Sequence, residues 1–183
     1  MRKLGNEYKI RYGEQLDIPA LISLDRAASE LFRPTGLIPD MSAIPESVPT
    51  DILAAAIANS MLLVVHDSDG VVGFSLCQQI DNCLYLDQLS VHPEHGRKGI
   101  GSALVKSTFK LAKDNKLGTI VLSTFRDIPW NGPFYRSLGF REIPRKKLTD
   151  WMLKIEEKQA ETLDVSQRCF MIYQVRRAFW PSR

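Results

Sequence analysis

Residues 84–101, which read LYLDQLSVHPEHGRKGIG, constrain the fold more than any other part of the chain. An apolar strand runs into a turn at Pro93, and the turn leads through a basic, glycine-rich loop into a helix. The first amides of a helix have no intrahelical acceptor and lie at the positive end of the helix dipole, so this arrangement attracts phosphate. We place the rest of the chain relative to this anion-binding loop.

The order of the glycines separates this loop from two common nucleotide-binding motifs. A Walker loop continues with Lys and Ser or Thr after its last glycine, whereas an isoleucine follows Gly99. A dinucleotide fingerprint would require a small residue where Leu104 stands. The loop instead reads x-x-x-G-x-G over residues 96–101. Its glycines let backbone amides approach a ligand, and Arg97 and Lys98 add charge where a pyrophosphate would lie.

The strand before the loop breaks its own alternation. Leu84 and Leu86 are two residues apart, whereas the next aliphatic residue, Leu89, follows after a step of three. One extra residue near Asp87 or Gln88 would return the aliphatic side chains to one face, which is a β-bulge. A central strand that is buried on both faces explains the same pattern, because its aliphatic residues need not alternate.

Periodicity predicts the other elements. The predicted strands are 8–12, 61–65, 71–79, 84–92, 119–124, 140–143 and 168–175. The predicted helices are 18–32, 51–58, 99–115, 132–137 and 148–163. A proline-rich loop is predicted over 33–49. The strand, helix and strand within 84–124 form a βαβ unit with parallel strands.

Composition limits the class of protein. The chain has 183 residues, enough for one domain with a sizeable core, and its net charge of +3 is too small and scattered to favour nucleic acid binding. Three cysteines without metal-ligand spacing argue against a disulfide framework and a metal site. No signal peptide is recognisable, and no apolar run approaches ~20 residues. We therefore expect a cytoplasmic protein with no metal, no nucleic acid partner and no membrane association.

Two motifs resemble the Gcn5-related N-acetyltransferase (GNAT) family. Residues 89–105, LSVHPEHGRKGIGSALV, resemble its coenzyme loop. Residues 124–140, TFRDIPWNGPFYRSLGF, resemble its second signature, in which an Asn and a Tyr precede a Gly-Phe pair. The chain departs from the pattern at Gly96, where the family usually has Gln or Arg, and in the short spacing from Asn131 to Tyr135. The resemblance is specific over residues 84–140.

The resemblance implies an α+β fold in three layers. A mostly antiparallel, mixed sheet of about seven strands, flanked by helices, would open between its fourth and fifth strands, and acetyl-CoA would lie in that opening. The resemblance also favours the bulge near Asp87. We expect residues 1–183 to form a single domain of this type, with an extra helix over 148–163 that covers the acceptor side or forms a homodimer contact. The loop 33–49 is either a surface connector or a lid or wall over the acceptor pocket.

The resemblance also assigns roles to individual residues. Tyr135 is the candidate general acid, because its ordinary pKa of ~10 is close to that of a thiol; its alternative role is that of a core aromatic. Asp87 is the candidate base and would act through water, with His92 as the weaker alternative. The predicted coenzyme-binding residues are Leu89, Ser90, Val91, Gly96, Arg97, Lys98, Gly99, Ile100, Gly101, Ser102 and Asn131.

These roles predict an acetyl-CoA-dependent N-acetyltransferase. It would move an acetyl group to a primary amine of a small molecule or peptide by direct attack on the thioester. A non-catalytic acyl-CoA-binding sensor or partner-binding module on the same fold is the alternative, since a fold does not fix an activity. A proton donor at Tyr135 favours the enzyme.

Overall fold

The computed structural model describes residues 3–38, 40–42 and 45–175. Its strands are β1 (Lys9–Tyr12), β2 (Leu62–His66), β3 (Val71–Ile80), β4 (Cys83–Val91), β5 (Thr119–Phe125), β6 (Arg141–Glu142) and β7 (Arg168–Gln174). Its α-helices are α1 (Ile18–Ser29), α2 (Thr50–Ala58), α3 (Ile100–Asp114), α4 (Gly132–Ser137) and α5 (Asp150–Ala160). Every predicted strand and helix is present, with ends shifted by a few residues.

The strands form one mixed sheet in the order β1-β2-β3-β4-β5-β7-β6. Neighbouring strands are antiparallel except β4 and β5, which α3 connects as a parallel pair. The predicted fold class and the βαβ unit are therefore confirmed. None of the helices among the described residues is long and apolar enough to cross a membrane.

Helices cover both faces of the sheet. On one face, α1 and α2 pack against Leu62, Val64, Phe74 and Leu76. On the other face, α3 packs against alternate residues of the same strands and against Leu84, Leu86 and Ile120. Tyr85 lies opposite Gln78, two residues from Leu76, so it shares the α1 face, where α5 packs against it. This arrangement makes three layers, with α5 and α1 on the same face of the sheet.

The bulge lies at Asp87. Leu76 is opposite Gln88 and Cys77 is opposite Leu86, so Asp87 is the extra residue in β4. The extra residue keeps Leu89 on the α3 face, as the sequence pattern predicts. The bulge is thereby confirmed, and a doubly buried strand does not account for the pattern.

The sheet opens immediately next to the bulge. Cys83–Tyr85 of β4 pair with Thr119–Val121 of β5, and the ladder between the two strands ends there. From Asp87 onward, β4 pairs only with β3 among the described strands. The predicted opening between the fourth and fifth strands is therefore present.

Some predicted boundaries are wrong. The first helix is α-helical only to Ser29, and a 3-10 helix, Glu30–Thr35, extends into the predicted loop through Pro34. This is consistent with proline geometry, because a ring that removes one amide donor is more easily accommodated in a short, tight turn than inside an α-helix. Within the predicted loop, residues 39, 43 and 44 lie outside the described residues.

Gly132 attaches α4 to the end of β5. A Cβ at this position would lie 2.1 Å from the Arg126 carbonyl oxygen. We expect Gly132→Ala to lower the melting midpoint by about 5 °C or more, because backbone must move to relieve such overlap. Gly118→Ala is the matched control, since its Cβ would meet nothing within 4 Å. Equal midpoints for the two variants in a thermal melt would contradict this account.

Candidate active site

A cleft of about 1600 Å³ occupies the opening between β4 and β5. The loop into α3, together with α4, forms one side of the cleft, and α1, α5 and the described part of the proline-rich loop form the other side. The contribution of Pro45 and Val48 favours the wall interpretation of that loop over the connector interpretation. Helix α5 also lines the cleft, through Ile155 and Lys158.

The loop into α3 has the backbone geometry of an anion-binding turn. Arg97 and Gly99 have positive φ angles of 58° and 88°. Gly99 precedes the first helical residue, and its carbonyl accepts the amide of Ala103 at 3.0 Å. The amides that precede Ala103 in the helix have no intrahelical acceptor and sit at the positive end of the dipole. The loop thus offers several unpaired donors beside the cleft.

Nearly all the predicted coenzyme residues line this cleft. Leu89, Ser90, Val91, Gly96, Arg97, Gly99, Ile100, Gly101, Ser102 and Asn131 do so. Lys98 does not, and its side chain is exposed. The Ser90 hydroxyl is buried against α1, so only the backbone of Ser90 is available to a ligand between the strands.

The open edge of β4 presents backbone amides to the cleft. The amide of His92 donates to the Val72 carbonyl of β3 at 2.9 Å. Because successive amides of an extended strand point to opposite sides, those of Val91 and Leu89 point away from β3, toward the gap. This edge can pair with an extended ligand as an additional strand would.

Tyr135 belongs to the core and lines the cleft at the same time. It is 8% exposed, and its ring packs against Phe134 and Phe140 at centroid distances of 5.0 and 5.6 Å. Burial raises the pKa of the phenol above its ordinary value, so it keeps its proton at neutral pH. The predicted alternatives for this residue, core aromatic and cleft residue, are therefore compatible.

Asn131 holds the start of α4 through its backbone. Its carbonyl accepts the amide of Tyr135 at 3.0 Å, and its Nδ2 donates to Thr124 Oγ1 at 2.8 Å. Its Oδ1 is buried and has no hydrogen-bond partner among the residues that the structure describes. An unsatisfied buried acceptor is costly, so a donor from a bound ligand would be favourable here.

Asp87 projects into the cleft from the bulge. Gln78 Nε2 donates to Asp87 Oδ2 at 2.7 Å. The carboxylate is open to the cleft, but protein surrounds it on most sides, and this burial raises its pKa, an effect that Gln78 and Lys158 partly oppose. His92, the alternative base, does not line the cleft, and its buried Nδ1 has no partner within the described part of the chain.

A buried carboxylate fixes the α1 side of the cleft and was not predicted. Asp25 Oδ1 accepts Gln88 Nε2 at 2.7 Å and Ser90 Oγ at 2.5 Å. Its Oδ2 accepts the Val48 amide at 2.9 Å. This network fastens the proline-rich wall to β4. The sequence signal was the pair of polar residues that alternate with Leu89 on the strand.

A second polar cluster joins α5 to the open edge of β5. Arg168 Nε donates to Gln159 Oε1 at 3.0 Å, and its Nη2 donates to Ser123 Oγ at 3.3 Å. The guanidinium lies 4.8 Å from the centroid of the Phe125 ring. Arg168 also lines the cleft. The sequence did not predict a site residue here, because a single arginine at the start of a strand belongs to no motif.

The sequence of the central part of the chain matches a known domain family. Residues 58–142, which contain β2 to β6, match the acetyltransferase (GNAT) domain. This segment is a GNAT domain. It includes the bulged strand, the anion-binding loop and Tyr135, whereas α1, α5 and β7 lie outside the matched residues.

Solved structures share the fold of the GNAT domain and its flanks. The PaiA N-acetyltransferase from Thermoplasma acidophilum, in complex with coenzyme A, is 21% identical, with a TM-score of 0.72 over 91% of this chain and 98% of that one. The ribosomal-protein-S18-alanine N-acetyltransferase from Escherichia coli is 17% identical, with a TM-score of 0.67 over 96% and 99%. The acetyltransferase yncA from Salmonella typhimurium, with acetyl-CoA, is 21% identical, with a TM-score of 0.63 over 97% and 99%.

Proposed function

We propose that this chain is an acetyl-CoA-dependent N-acetyltransferase that moves the acetyl group to a primary amine of a small molecule or peptide. The observation that carries the proposal is the cleft itself, which joins an anion-binding turn, an open strand edge, Asp87 and Tyr135. Two of the similar structures hold coenzyme A or acetyl-CoA. We also propose that α5 is an addition to a single domain that spans the chain.

The chain's own groups fit this coenzyme. The turn into α3 suits a pyrophosphate, since the amides of Ile100 and Gly101 have no intrahelical acceptor and Arg97 adds a positive charge. The amides of Leu89 and Val91 would pair with the amide-rich pantetheine arm, and the buried Oδ1 of Asn131 lacks a donor. A Cβ at Gly101 would lie 3.5 Å from Phe134 Cζ, which is van der Waals contact, so α3 begins close beside α4.

Acetyl-CoA supplies an activated acetyl thioester, and the protein supplies position and proton transfer. An amide of the β4 edge can donate a hydrogen bond to the thioester oxygen as negative charge develops there. Asp87 would remove a proton from the attacking amine through water, and Tyr135 would donate one to the leaving sulfur. The amine would enter from the α1 and α5 side, where Asp87 is open to the cleft.

A thermal melt tests coenzyme binding. We expect acetyl-CoA to raise the midpoint in a dose-dependent way, by about 5–10 °C when it reaches ~100 times its Kd. ATP is the control, because it has the adenosine and phosphates but lacks the pantetheine arm, and it should give a much smaller shift. No shift with millimolar acetyl-CoA would refute the proposal.

Release of free CoA separates an enzyme from a binding module. A panel of amines with detection of the free thiol should identify acceptors that accelerate CoA release. Stabilisation by acetyl-CoA without release for any amine would favour the non-catalytic acyl-CoA-binding module.

A further inference from the structure

Arg168 is a charged side chain on the acceptor side of the cleft that the proposed chemistry does not use. Its guanidinium is largely enclosed by Gln159, Ser123 and Phe125, yet the residue lines the cleft. In the described part of the chain, the partners of the guanidinium are a neutral amide, a neutral hydroxyl and an aromatic ring. These contacts orient the guanidinium but do not neutralise it.

Arg168 makes no ion pair with any carboxylate in the part of the chain that the structure describes. Burial lowers its pKa, but a guanidinium remains charged at neutral pH. A buried cation without a counter-ion is costly, and buried charges in proteins are normally paired. A ligand that brings a carboxylate would therefore gain affinity at this position.

The other charges around the acceptor side do not compensate Arg168. Asp25 is saturated by three hydrogen bonds from neutral donors, and Glu46 pairs with Arg26 at 2.6 Å. Glu142 and Glu156 line a smaller pocket with Arg168, but they pair with Arg126 and Arg145. Among the described residues that line the cleft, the remaining acid is Asp87, whose pKa burial raises and Lys158 partly lowers. The cleft thus has a base on β4 and an uncompensated cation on β7, with Lys158 of α5 near the base.

We propose that the acceptor amine carries a carboxylate and that Arg168 binds it, with Gln159 and Ser123 holding the guanidinium in place. The planar fork of an arginine matches both oxygens of a carboxylate. Binding at Arg168 would orient the molecule so that its amine points toward Asp87. The substrate class is then an amino acid or a peptide with a nearby carboxylate. This inference rests on the proposed N-acetyltransferase function and narrows its substrate.

Matched acceptors test the inference. The acceptors are glycine, β-alanine, γ-aminobutyrate and triglycine, each compared with the amide of its carboxyl group at saturating acetyl-CoA. The measured quantity is kcat/KM for the acid divided by kcat/KM for the amide. We expect this ratio to fall about 10- to 100-fold in Arg168→Met for the best pair, the range for a lost charged hydrogen bond. Arg168→Lys should retain part of the preference.

The ratio excludes a merely structural role. Arg168 also joins α5 to β5, so Arg168→Met can lower the activity toward every acceptor. Such a loss affects acid and amide equally and leaves the ratio unchanged. The acid and its amide also differ in the intrinsic reactivity of the amine. This difference affects wild type and variant equally, so it cancels when their two ratios are compared. An unchanged ratio in Arg168→Met, or no preference for acids in the wild type, would overturn the inference.

Binding without turnover separates the two proposals. Calorimetric titration of the same acids and amides into the protein with CoA present requires no reaction. Binding of acids that is weakened in Arg168→Met, without turnover of any amine, would support the carboxylate site and refute the enzyme. Turnover of amines with equal binding of acids and amides would refute the carboxylate site alone.

Discussion

Replacing Tyr135 by phenylalanine is expected to lower kcat about 10²–10⁴-fold while KM for acetyl-CoA changes little. The substitution removes the proton donor and leaves the ring, which packs between Phe134 and Phe140. Burial raises the pKa of the phenol, and it also raises the pKa of the nearby Cys77 thiol. A thiolate that leaves beside the phenol would lose solvent in the same way, and its increased basicity would offset the raised pKa of the donor.

Tyr173→Phe is the matched control for this substitution. Tyr173 packs against Phe109 on the α3 face and does not line the cleft. Steady-state kinetics should show near-normal turnover for this variant. Because the pKa of Tyr135 is raised, the wild type should also keep its proton donor at least up to pH ~10. Undiminished kcat in Tyr135→Phe would remove the residue from the mechanism.

Replacing Asp87 by asparagine is expected to lower kcat about 10²–10⁴-fold at neutral pH and to remove one acid limb from the pH profile. A base acts in its ionised form, so the wild-type rate falls as the pH drops through the pKa of Asp87. Burial raises that pKa, which places the limb above the ordinary value of about 3.9. The rate of the wild type divided by that of the variant should therefore decrease toward low pH. Ionisation of the acceptor amine does not affect this ratio, because both proteins use the same amine.

Two further variants sharpen the assignment of Asp87. The hydrogen bond from Gln78 lowers the pKa of Asp87, so Gln78→Ala should move the acid limb to higher pH without abolishing activity. Asp114→Asn removes an exposed carboxylate that pairs with Lys110, and it should leave the rate and the profile unchanged. If the ratio of the wild-type rate to the Asp87→Asn rate does not vary with pH, the acid limb belongs to another group.

The fold followed from the sequence where a single local rule determined the outcome. The three-residue step from Leu86 to Leu89 required a bulge once both residues faced α3, and the structure has it at Asp87. The parallel pairing of β4 with β5 followed from the helix between them. The first helix was predicted three residues too long, because periodicity does not distinguish an α-helix from the 3-10 turn that follows it.

The acceptor side of the site depended on contacts between distant parts of the chain. Asp25 meets Ser90, and Arg168 meets Ser123, across 65 and 45 residues of sequence. Neither pair has a spacing that a sequence motif could reveal. The coenzyme side, in contrast, lies within two short motifs, and all its predicted residues except Lys98 line the cleft.

Asp87 is the one residue of β4 that has no partner in the pairing with β3. Without it, Leu84, Leu86 and Leu89 would alternate regularly, and β4 could continue its ladder beside β5 as an ordinary central strand. The same inserted residue interrupts that ladder and carries the carboxylate that faces the resulting gap. The opening in the sheet and the carboxylate that we propose as the base thus have one origin in the chain.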